Sequence, residues 1–473
     1  MTAAIDPFQA LRQGLKRRSF LTRSGLGLGA LALGALEQRA FPGNGGPGQF
    51  RRETSPRIKS IIYLHMVGAP SQLDLFDYKP VLQRYDRKPA PESFIEGKRF
   101  AFLRGHPKLL GTPYRFQKWG QAGTWMSELL PHLSTVADEL CFVRSMRTDE
   151  FNHGPAQMLA HTGVNRIGYP SLGSWIDYGL GSESENLPGY VVFLSGVSPG
   201  GGRALWSNGF LPSVHQGVEF RSQGDPVLFL KDPPTIDRAR RRRILDRVQS
   251  LNRARFELSP DREILTRIEQ YELAFRMQAS VPELMDLSKE SELTRALYGD
   301  GEFANHCLYA RRLVERGTRF VELFNASWDT HGNQDSRLRA NCRQVDQAIA
   351  GLIRDLRQRG MLDETLVVWA SEFGRTPMLQ GKEAPDQCGR DHHKEAFTIW
   401  FAGGGIRKGM SYGHSDEMGY WVADHPVQFR DVHATLFQLL GLDHRQSTFR
   451  FQGLDQRLTG VEDEAVVLEP ILA

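Results

Sequence analysis

Histidines and carboxylates are concentrated in four short polar segments, each of which adjoins an apolar run typical of a β-strand. The segments are FNHGPAQ, WDTHGNQ, SEFGRT and CGRDHHKEAF. The residues in them that could bind a metal or move a proton are His153, Asp329, His331, Glu372, Asp391, His392 and His393. Imidazole and carboxylate suit zinc, manganese or iron. A single loop histidine is equally consistent with a surface hydrogen bond, and Asp329 with a helix cap, so it is the grouping that indicates a metal site.

The elements that must position these residues alternate between strand and helix. Strands are predicted at KSIIYLHMV, residues 140–144, LPGYVVFL, TRFVELF, TLVVWA and FTIWFAGGG, and helices at WMSELLPHLSTVADEL, residues 236–316, residues 341–359 and VHATLFQLLGL. This alternation predicts an α/β fold with a mixed, mostly parallel central sheet and helices on both faces. Because the carboxyl ends of parallel strands meet at one edge of a sheet, we expect the four polar segments to converge there.

The N-terminal residues have the layout of an export signal. Arg17 and Arg18 precede Phe20 and an uncharged Gly/Ala/Leu run at residues 25–36. A basic segment before a short apolar one is typical of signal peptides, and the adjacent arginines resemble signals for the twin-arginine (Tat) export machinery. The alternatives are a buried helix or a membrane span, but this run is shorter than the about 20 residues that cross a bilayer. We therefore expect residues 1–40 to direct Tat export, giving a periplasmic or secreted protein without a stable membrane span.

The rest of the chain is predicted to be a linker followed by one large domain. Residues 41–57 are rich in Gly and Pro and form the linker. Residues 58–473 form the domain, with residues 236–316 as a helical excursion from the sheet. The 59 basic and 55 acidic residues give a net charge of +4, which does not indicate a nucleic-acid partner. The cysteines lack C-x-x-C spacing, which argues against a zinc ribbon and leaves one or two disulfides open.

Several longer motifs occur in a characteristic order along the chain. They are GAPSQLDLFDYKP, FNHGPAQMLAHTG, PSLGSWIDYGLG, WDTHGNQ, SEFGRTP, GRDHH and AGGGIRKGMSYGHSDEMG. Together they resemble the exported bacterial family known as domain of unknown function 1501, within the alkaline phosphatase and sulfatase superfamily. The resemblance covers roughly residues 58–460. It implies a metal-dependent hydrolase that acts on small phosphate or sulfate esters.

The resemblance also implies a ligand set. In the superfamily one metal is held by an Asp and a His after a mid-chain strand and by a later His. Asp329 and His331 match the first pair, and His392 matches the later residue, with His393 beside it. The implied ion is divalent: zinc, manganese or calcium.

A second metal site of the superfamily is only partly matched. It uses an Asp followed by His or Asn, where this chain has Glu372 and Phe373. It also uses an Asp at the end of the first strand, for which Asp74 is the nearest carboxylate. The resemblance therefore implies that Glu372 is either a ligand or an acid behind the ligands.

The nucleophile position differs most from the superfamily pattern. Where sulfatases have the Cys or Ser that becomes formylglycine, this chain has His153, and Gln157 replaces the activating Arg. Formylglycine chemistry is thereby excluded at this position, and His153 is interpreted as a ligand or base before a nucleophile. Arg375 and Lys394 are candidates to neutralise anionic oxygens. The alternative function is a non-catalytic exported scaffold that binds a cell-surface polymer or partner through an eroded metal site.

Overall fold

The computed structural model describes residues 50, 52, 54–96, 102–103, 105–228, 230–384, 386–461 and 465–473. The predicted signal peptide lies outside the described residues, as does most of the predicted linker. Phe50 was assigned to that linker, but its ring packs against Trp175 and Tyr178, with ring centroids 6.2 and 5.4 Å apart. The compact unit accordingly runs from Phe50 to Ala473.

One large sheet organises the fold. The strands of the described chain are β1 (Ser60–Met66), β2 (Phe116–Trp119), β3 (Thr124–Ser127), β4 (Leu140–Met146), β5 (Tyr190–Ser195), β6 (Val218–Phe220), β7 (Phe320–Asn325), β8 (Thr365–Ala370), β9 (Gly374–Arg375), β10 (Gln380–Gly381), β11 (Cys388–Gly389), β12 (His392–His393), β13 (Phe397–Gly403), β14 (Ser411–Tyr412), β15 (His414–Ser415), β16 (Val422–Asp424), β17 (Phe449–Phe451) and β18 (Leu454–Gln456). The main sheet has the order β14-β4-β13-β8-β1-β7-β5-β6. Strand β13 is antiparallel to β4 and β8, and the other neighbouring pairs are parallel. The predicted mixed, mostly parallel sheet is confirmed.

Helices connect the strands. They are α1 (Gln72–Leu75), α2 (Pro80–Arg84), α3 (Glu92–Ile95), α4 (His153–Thr162), α5 (Leu172–Leu180), α6 (Arg238–Leu258), α7 (Arg262–Met285), α8 (Glu292–Tyr298), α9 (Glu302–Glu315), α10 (Gln334–Gln358) and α11 (Phe429–Leu439). The helix predicted at WMSELLPHLSTVADEL is wrong, because this segment contains β3 and a 3-10 helix at Leu133–Glu139. Pro131 interrupts that segment and cannot donate a helical hydrogen bond. In the described part of the chain, no helix combines the length and apolar character needed to cross a membrane.

Strand β1 shows how the sheet separates two hydrophobic cores. Its residues Ile62, Leu64 and Met66 belong to the core that includes α9 and α10. The alternate residues Ile61 and Tyr63 belong to the core that includes α4, α5 and α11. Successive side chains of a strand point to opposite faces, so helices cover both faces, as predicted.

The carboxyl ends of the central strands supply the polar segments. Asp329 follows β7, Glu372 follows β8, and His153 follows β4, which runs in the same direction as β8 because both are antiparallel to β13. Gly68, after β1, has a φ of +111°, and a Cβ there would lie 2.4 Å from Asp329 N. Only glycine permits this close approach of the two loops.

The cysteines do not cross-link the domain. Cys141, Cys307 and Cys342 are buried free thiols, and burial raises the pKa of Cys141 to about 12. With three of the four cysteines free, no disulfide forms in the described chain. The described residues therefore contain neither of the one or two disulfides that the sequence left open.

Candidate metal centre

One carboxylate oxygen, Oδ1 of Asp329, is the meeting point of three imidazoles and a guanidinium. It lies 3.4 Å from His153 Nε2, 3.0 Å from His331 Nε2, 3.2 Å from His392 Nε2 and 2.6 Å from Arg375 Nη2. These residues follow β4, β7 and β8 or precede β13. The sheet edge therefore brings together five residues that the sequence singled out, and we call Asp329 with its three histidines the histidine cluster.

The opposite nitrogen of each imidazole faces an oxygen that fixes the orientation of the ring. The Nδ1 contacts are His153 to Glu372 Oε1 at 2.7 Å, His331 to Gln380 Oε1 at 2.6 Å, and His392 to the Phe151 carbonyl at 2.8 Å. Because a carboxylate, an amide oxygen and a carbonyl accept hydrogen bonds, each Nδ1 must donate. In a neutral imidazole the lone pair is then on Nε2, and all three Nε2 atoms face Asp329.

This donor set fits a divalent metal ion. Nε2 of His331 lies 2.9 Å from Nε2 of His392, and two lone pairs at that distance repel unless a proton or a cation lies between them. Nε2 of His153 is buried without a hydrogen-bond partner in the described structure. Ligand atoms of His153, Asp329 and His392 lie within 4.8 Å of one another. Imidazole nitrogens and a carboxylate are zinc ligands, and acceptors on the opposite ring nitrogens are typical of metal-binding histidines.

Burial and hydrogen bonding set the charges in the histidine cluster. Burial by itself would raise the pKa of Asp329, but its contacts with the three histidines and the charge of Arg375 hold that pKa well below its ordinary value. Burial lowers the pKa of His153, but contacts with Asp329 and Glu372 outweigh this and raise it to about 9. Burial lowers the pKa of His392. Asp329 is therefore ionised, and a metal ion must displace a proton from His153 to bind its Nε2.

Glu372 contacts the Nδ1 side of His153, opposite the Nε2 atom that faces Asp329. It is fully buried, and its Oε1 accepts hydrogen bonds from Gly68 N and Gln157 Nε2, each at 2.9 Å, as well as the contact with His153. Its Oε2 accepts from Ser371 Oγ at 2.9 Å. Burial would raise the pKa of Glu372, but His153 and His65 lower it well below its ordinary value. Glu372 is thus an ionised partner of His153 on the Nδ1 side of that ring.

Two phenylalanines border the imidazoles. Phe373 is buried and stacks on His153 with ring centroids 4.9 Å apart. Phe102 is 56% exposed and packs edge-on against the rings of His331 and His392, with ring centroids 5.3 and 5.4 Å apart. The side chains of Asp329 and His331 are 40% and 31% exposed. The cluster is therefore walled by aromatic rings but open to solvent on one side.

A family model described as "Protein of unknown function (DUF1501)" matches residues 58–471. The chain belongs to this family. The match confirms the family that the motifs resembled, and it covers the histidine cluster and Glu372. A search of curated proteins found no match to this DUF1501 protein.

Three solved structures with similarity to the DUF1501 protein illustrate its structural neighbours. The lipoteichoic acid synthase LtaP from Listeria monocytogenes has 10% identity and a TM-score of 0.37, covering 85% of this chain and 75% of its own. The PsFucS1 sulfatase from Pseudoalteromonas sp. has 13% identity and a TM-score of 0.36, with 92% and 75% covered. The C-terminal periplasmic domain of EcEptC from Escherichia coli, in complex with Zn, has 9% identity and a TM-score of 0.34, with 84% and 87% covered.

Two predicted ligands of the DUF1501 protein are not part of the histidine cluster. Asp74 is fully buried and paired with Arg390, whose Nε and Nη2 lie 2.7 and 3.1 Å from its two oxygens. His393 follows His392 in β12, and successive strand residues point to opposite sides. Its Nε2 lies 2.6 Å from the Tyr420 carbonyl. Both are corrections to the predicted ligand set.

Of the two predicted anion-binding groups, Arg375 is buried and Lys394 is partly exposed. Arg375 is fully buried and donates to the carbonyls of Gly68, Ala69 and Arg390 as well as to Asp329. It therefore orients Asp329 and has no face toward solvent. Lys394 has a 37% exposed side chain, and its Nζ donates to the Asp149 carbonyl at 3.4 Å. Asp391 accepts from the backbone N–H groups of residues 102 and 103.

Sequence reasoning missed the groups that fix the imidazoles. Gln380, the Phe151 carbonyl and Phe102 lie in loops that carry no motif for such a role. The sequence marks Gln157 only as the residue that replaces the activating Arg of sulfatases. Its spacing of four residues from His153 puts both on one side of α4, and this signal could have identified it as a second partner of Glu372.

Proposed function

We propose that this DUF1501 protein is an exported, metal-dependent hydrolase of phosphate or sulfate esters. A single divalent ion, most simply zinc, would be held by Asp329 and by Nε2 of His153, His331 and His392. The observation that carries the proposal is that three imidazoles, each with Nδ1 committed to an acceptor, direct Nε2 toward one carboxylate. Such an arrangement is costly without a cation and typical of metal sites.

The chain's own groups would bind and orient a substrate at this site. When bound, the ion would supply Lewis-acid polarisation of an ester oxygen. Glu372 holds His153 in place, and Arg375 holds Asp329, so both act through the ligands. Phe373 keeps water from one face of His153. The substrate would enter from the side where Asp329 and His331 are exposed.

An anionic substrate needs a cation at the mouth of the site. Lys394 is partly exposed, and its Nζ contact with the Asp149 carbonyl is long at 3.4 Å. The segment from Asp149 leads to Phe151, whose carbonyl contacts His392. An ammonium group beside this segment would favour small anionic esters over neutral ones. Lys394→Gln should therefore raise KM for an anionic ester and leave metal content unchanged.

Metal content and ester hydrolysis test the proposal together. Protein purified in zinc-containing buffer should hold about one equivalent of zinc by mass spectrometry. His392→Ala should lose that zinc and any hydrolysis of nitrophenyl phosphate, bis(nitrophenyl) phosphate or nitrophenyl sulfate. His393→Ala is the matched control, because it alters the adjacent buried histidine outside the cluster and should retain zinc. Zinc retained in folded His392→Ala would contradict the metal site.

Export by the Tat pathway is proposed from the sequence of residues 1–40. Changing Arg17 and Arg18 to Lys should leave folded precursor in the cytoplasm, since Tat signals are recognised through both arginines. Fractionation of cells that carry the wild-type and the double-variant gene measures this. Equal export of both proteins would contradict the proposal that residues 1–40 are a Tat signal.

A binding protein with a structural metal is the second candidate. It is favoured by the occupation of the expected second metal position by Phe373 and by the pairing of Asp74 with Arg390. In that case zinc would bind with the stoichiometry above, but none of the three ester classes would be hydrolysed. A cell-surface polymer or partner would then bind, and binding would be lost in His392→Ala.

A further inference from the structure

A line of buried polar side chains continues from Glu372 into the core. His65 Nε2 lies 3.2 Å from Glu372 Oε2, and His65 Nδ1 lies 3.2 Å from His161 Nε2. His161 Nδ1 lies 2.7 Å from Glu322 Oε1, and the Tyr190 hydroxyl donates to Glu322 Oε2. None of these side chains is more than 2% exposed. Two carboxylates and two imidazoles thus form one continuous chain that water does not reach.

The fold places this chain directly behind the histidine cluster. His65, Glu322 and Tyr190 lie on the neighbouring strands β1, β7 and β5, on the face that α4 covers. His161 is on α4, the same helix that begins with His153. The helix therefore connects the cluster and the buried chain through two of its histidines.

Hydrogen-bond accounting shows that one proton is shared along the chain. His65 Nε2 faces Glu372 Oε2 at 3.2 Å without forming a well-aligned hydrogen bond. Because a lone pair there would face a carboxylate, Nε2 carries the proton, so a neutral His65 has its lone pair on Nδ1 and His161 Nε2 must donate to it. A neutral His161 then turns a lone pair toward Glu322 Oε1, 2.7 Å away. Two acceptors cannot stay at that distance, so one proton must lie between His161 and Glu322.

That proton has a path with balanced steps. Glu322 can pass it from Oε1 to His161 Nδ1, and His161 can pass its Nε2 proton to His65 Nδ1. In each step one O–H or N–H bond breaks and one N–H bond forms, so the total charge is unchanged. The end state has an ionised Glu322 and an imidazolium at His65, adjacent to Glu372.

We propose that Glu322, His161 and His65 form a buried relay that holds one mobile proton and sets how strongly Glu372 accepts from His153. The inference rests on the proposed function, since it makes these three residues positioning groups for a metal ligand. With the proton at His65, the imidazolium attracts the negative charge of Glu372 and weakens the hydrogen bond that Glu372 accepts from His153. With the proton at Glu322, the full carboxylate charge acts on His153.

The surroundings of the relay contain few other ionisable groups. The ring of Tyr63 on β1 packs against those of His65 and His161, with centroids 6.4 and 5.6 Å apart. Burial raises the pKa of Tyr63. His433 on α11 donates from Nε2 to the Ala160 carbonyl at 2.8 Å, and burial lowers its pKa to about 4. Burial likewise lowers the pKa of His65. Phe324 packs beside both relay imidazoles, with ring centroids 5.5 and 5.2 Å from those of His65 and His161.

Tyr190→Phe tests the relay from its far end. It removes the hydroxyl that stabilises the ionised form of Glu322 and should keep the proton there. Nitrogen spectra of metal-free protein labelled with 15N-histidine should show shifted signals for both His161 and His65. Tyr298→Phe is the matched control, because it removes an equally buried tyrosine–carboxylate hydrogen bond, 2.9 Å to Asp355, outside the relay. The control should leave both histidine signals unchanged.

Unchanged His65 signals in Tyr190→Phe, or a change confined to His161, would overturn the relay. If Tyr190→Phe does not fold, Glu322→Gln gives the same test, since its amide can donate to His161 and accept from Tyr190 but cannot release a proton. In zinc titrations, Tyr190→Phe should bind zinc more tightly, by less than the about 10–100-fold typical of a direct ligand partner. Since the spectra need no metal, absent zinc binding would refute the proposed function alone, and unchanged spectra would refute the relay alone.

Discussion

Replacing Glu372 by Gln tests whether the carboxylate behind His153 supports metal binding. Glu372 is fully buried, and its Oε1 contacts His153 Nδ1 at 2.7 Å and Gly68 N at 2.9 Å. An amide oxygen can accept the same hydrogen bonds, so the variant should fold. It lacks the negative charge that makes His153 Nε2 a stronger ligand. We expect zinc affinity to fall by about 10–100-fold, which corresponds to about 1.4–2.8 kcal/mol of binding free energy.

The assay is competition for zinc between metal-free protein and a chromophoric chelator, with thermal unfolding of the same samples. Asp346→Asn is the control, because Asp346 is also a buried carboxylate that accepts from two backbone N–H groups, those of His132 and Leu133 at 2.8 and 2.7 Å. It lies outside the histidine cluster and should lose stability without losing zinc affinity. Wild-type zinc affinity in a folded Glu372→Gln protein would refute the role of Glu372.

Three further predictions follow from the same contacts. Gly68→Ala should destabilise the protein by about 1–3 kcal/mol in chemical denaturation, since it forces a side chain into left-handed backbone at a close loop contact. Arg390→Met should cost about 3–5 kcal/mol, because it leaves the buried Asp74 unpaired, while bound zinc per folded protein stays constant. His153 has a pKa raised to about 9, so its stabilisation of metal-free protein is complete below its ordinary pKa and is lost as pH rises through about 9. Relative to His153→Gln, wild-type protein should therefore lose melting temperature between neutral pH and pH 10.

The sheet and the convergence of its loops could be predicted because both follow from short patterns. TLVVWA is apolar throughout, as expected for a strand buried on both faces, and β8 occupies Thr365–Ala370. A polar residue directly after such a strand must lie at the sheet edge, which is why Asp329 and Glu372 were found. The antiparallel direction of β13 could not be read from FTIWFAGGG, because strand direction leaves no mark on local periodicity.

Pairings between distant residues could not be predicted. The position of Asp74 near the first strand predicts a ligand, but its charge is matched by Arg390, which is 316 residues away. The relay histidine His65 and Glu322 were visible as polar residues inside apolar strands. Their partners depend on strand order, which places β1 beside β7. Only the three-dimensional structure shows that both side chains point to the face that carries His161.

Phe373 and Glu372, at the positions expected for a second metal, make other contacts. These contacts favour a site for one ion. Phe373 stands where the resemblance implies a ligand, and its ring contacts His153 and His392 with centroids 4.9 and 4.8 Å apart. Glu372 directs one oxygen to His153 and the other to Ser371, so neither is left for an ion on the far side. Phe373 provides no ligand atom, and Glu372 has its oxygens engaged. Both side chains also fix the ring of His153. The residues that replace the ligands of a second ion would therefore make the proposed single site more rigid, and rigid ligands would favour catalysis by one well-placed ion.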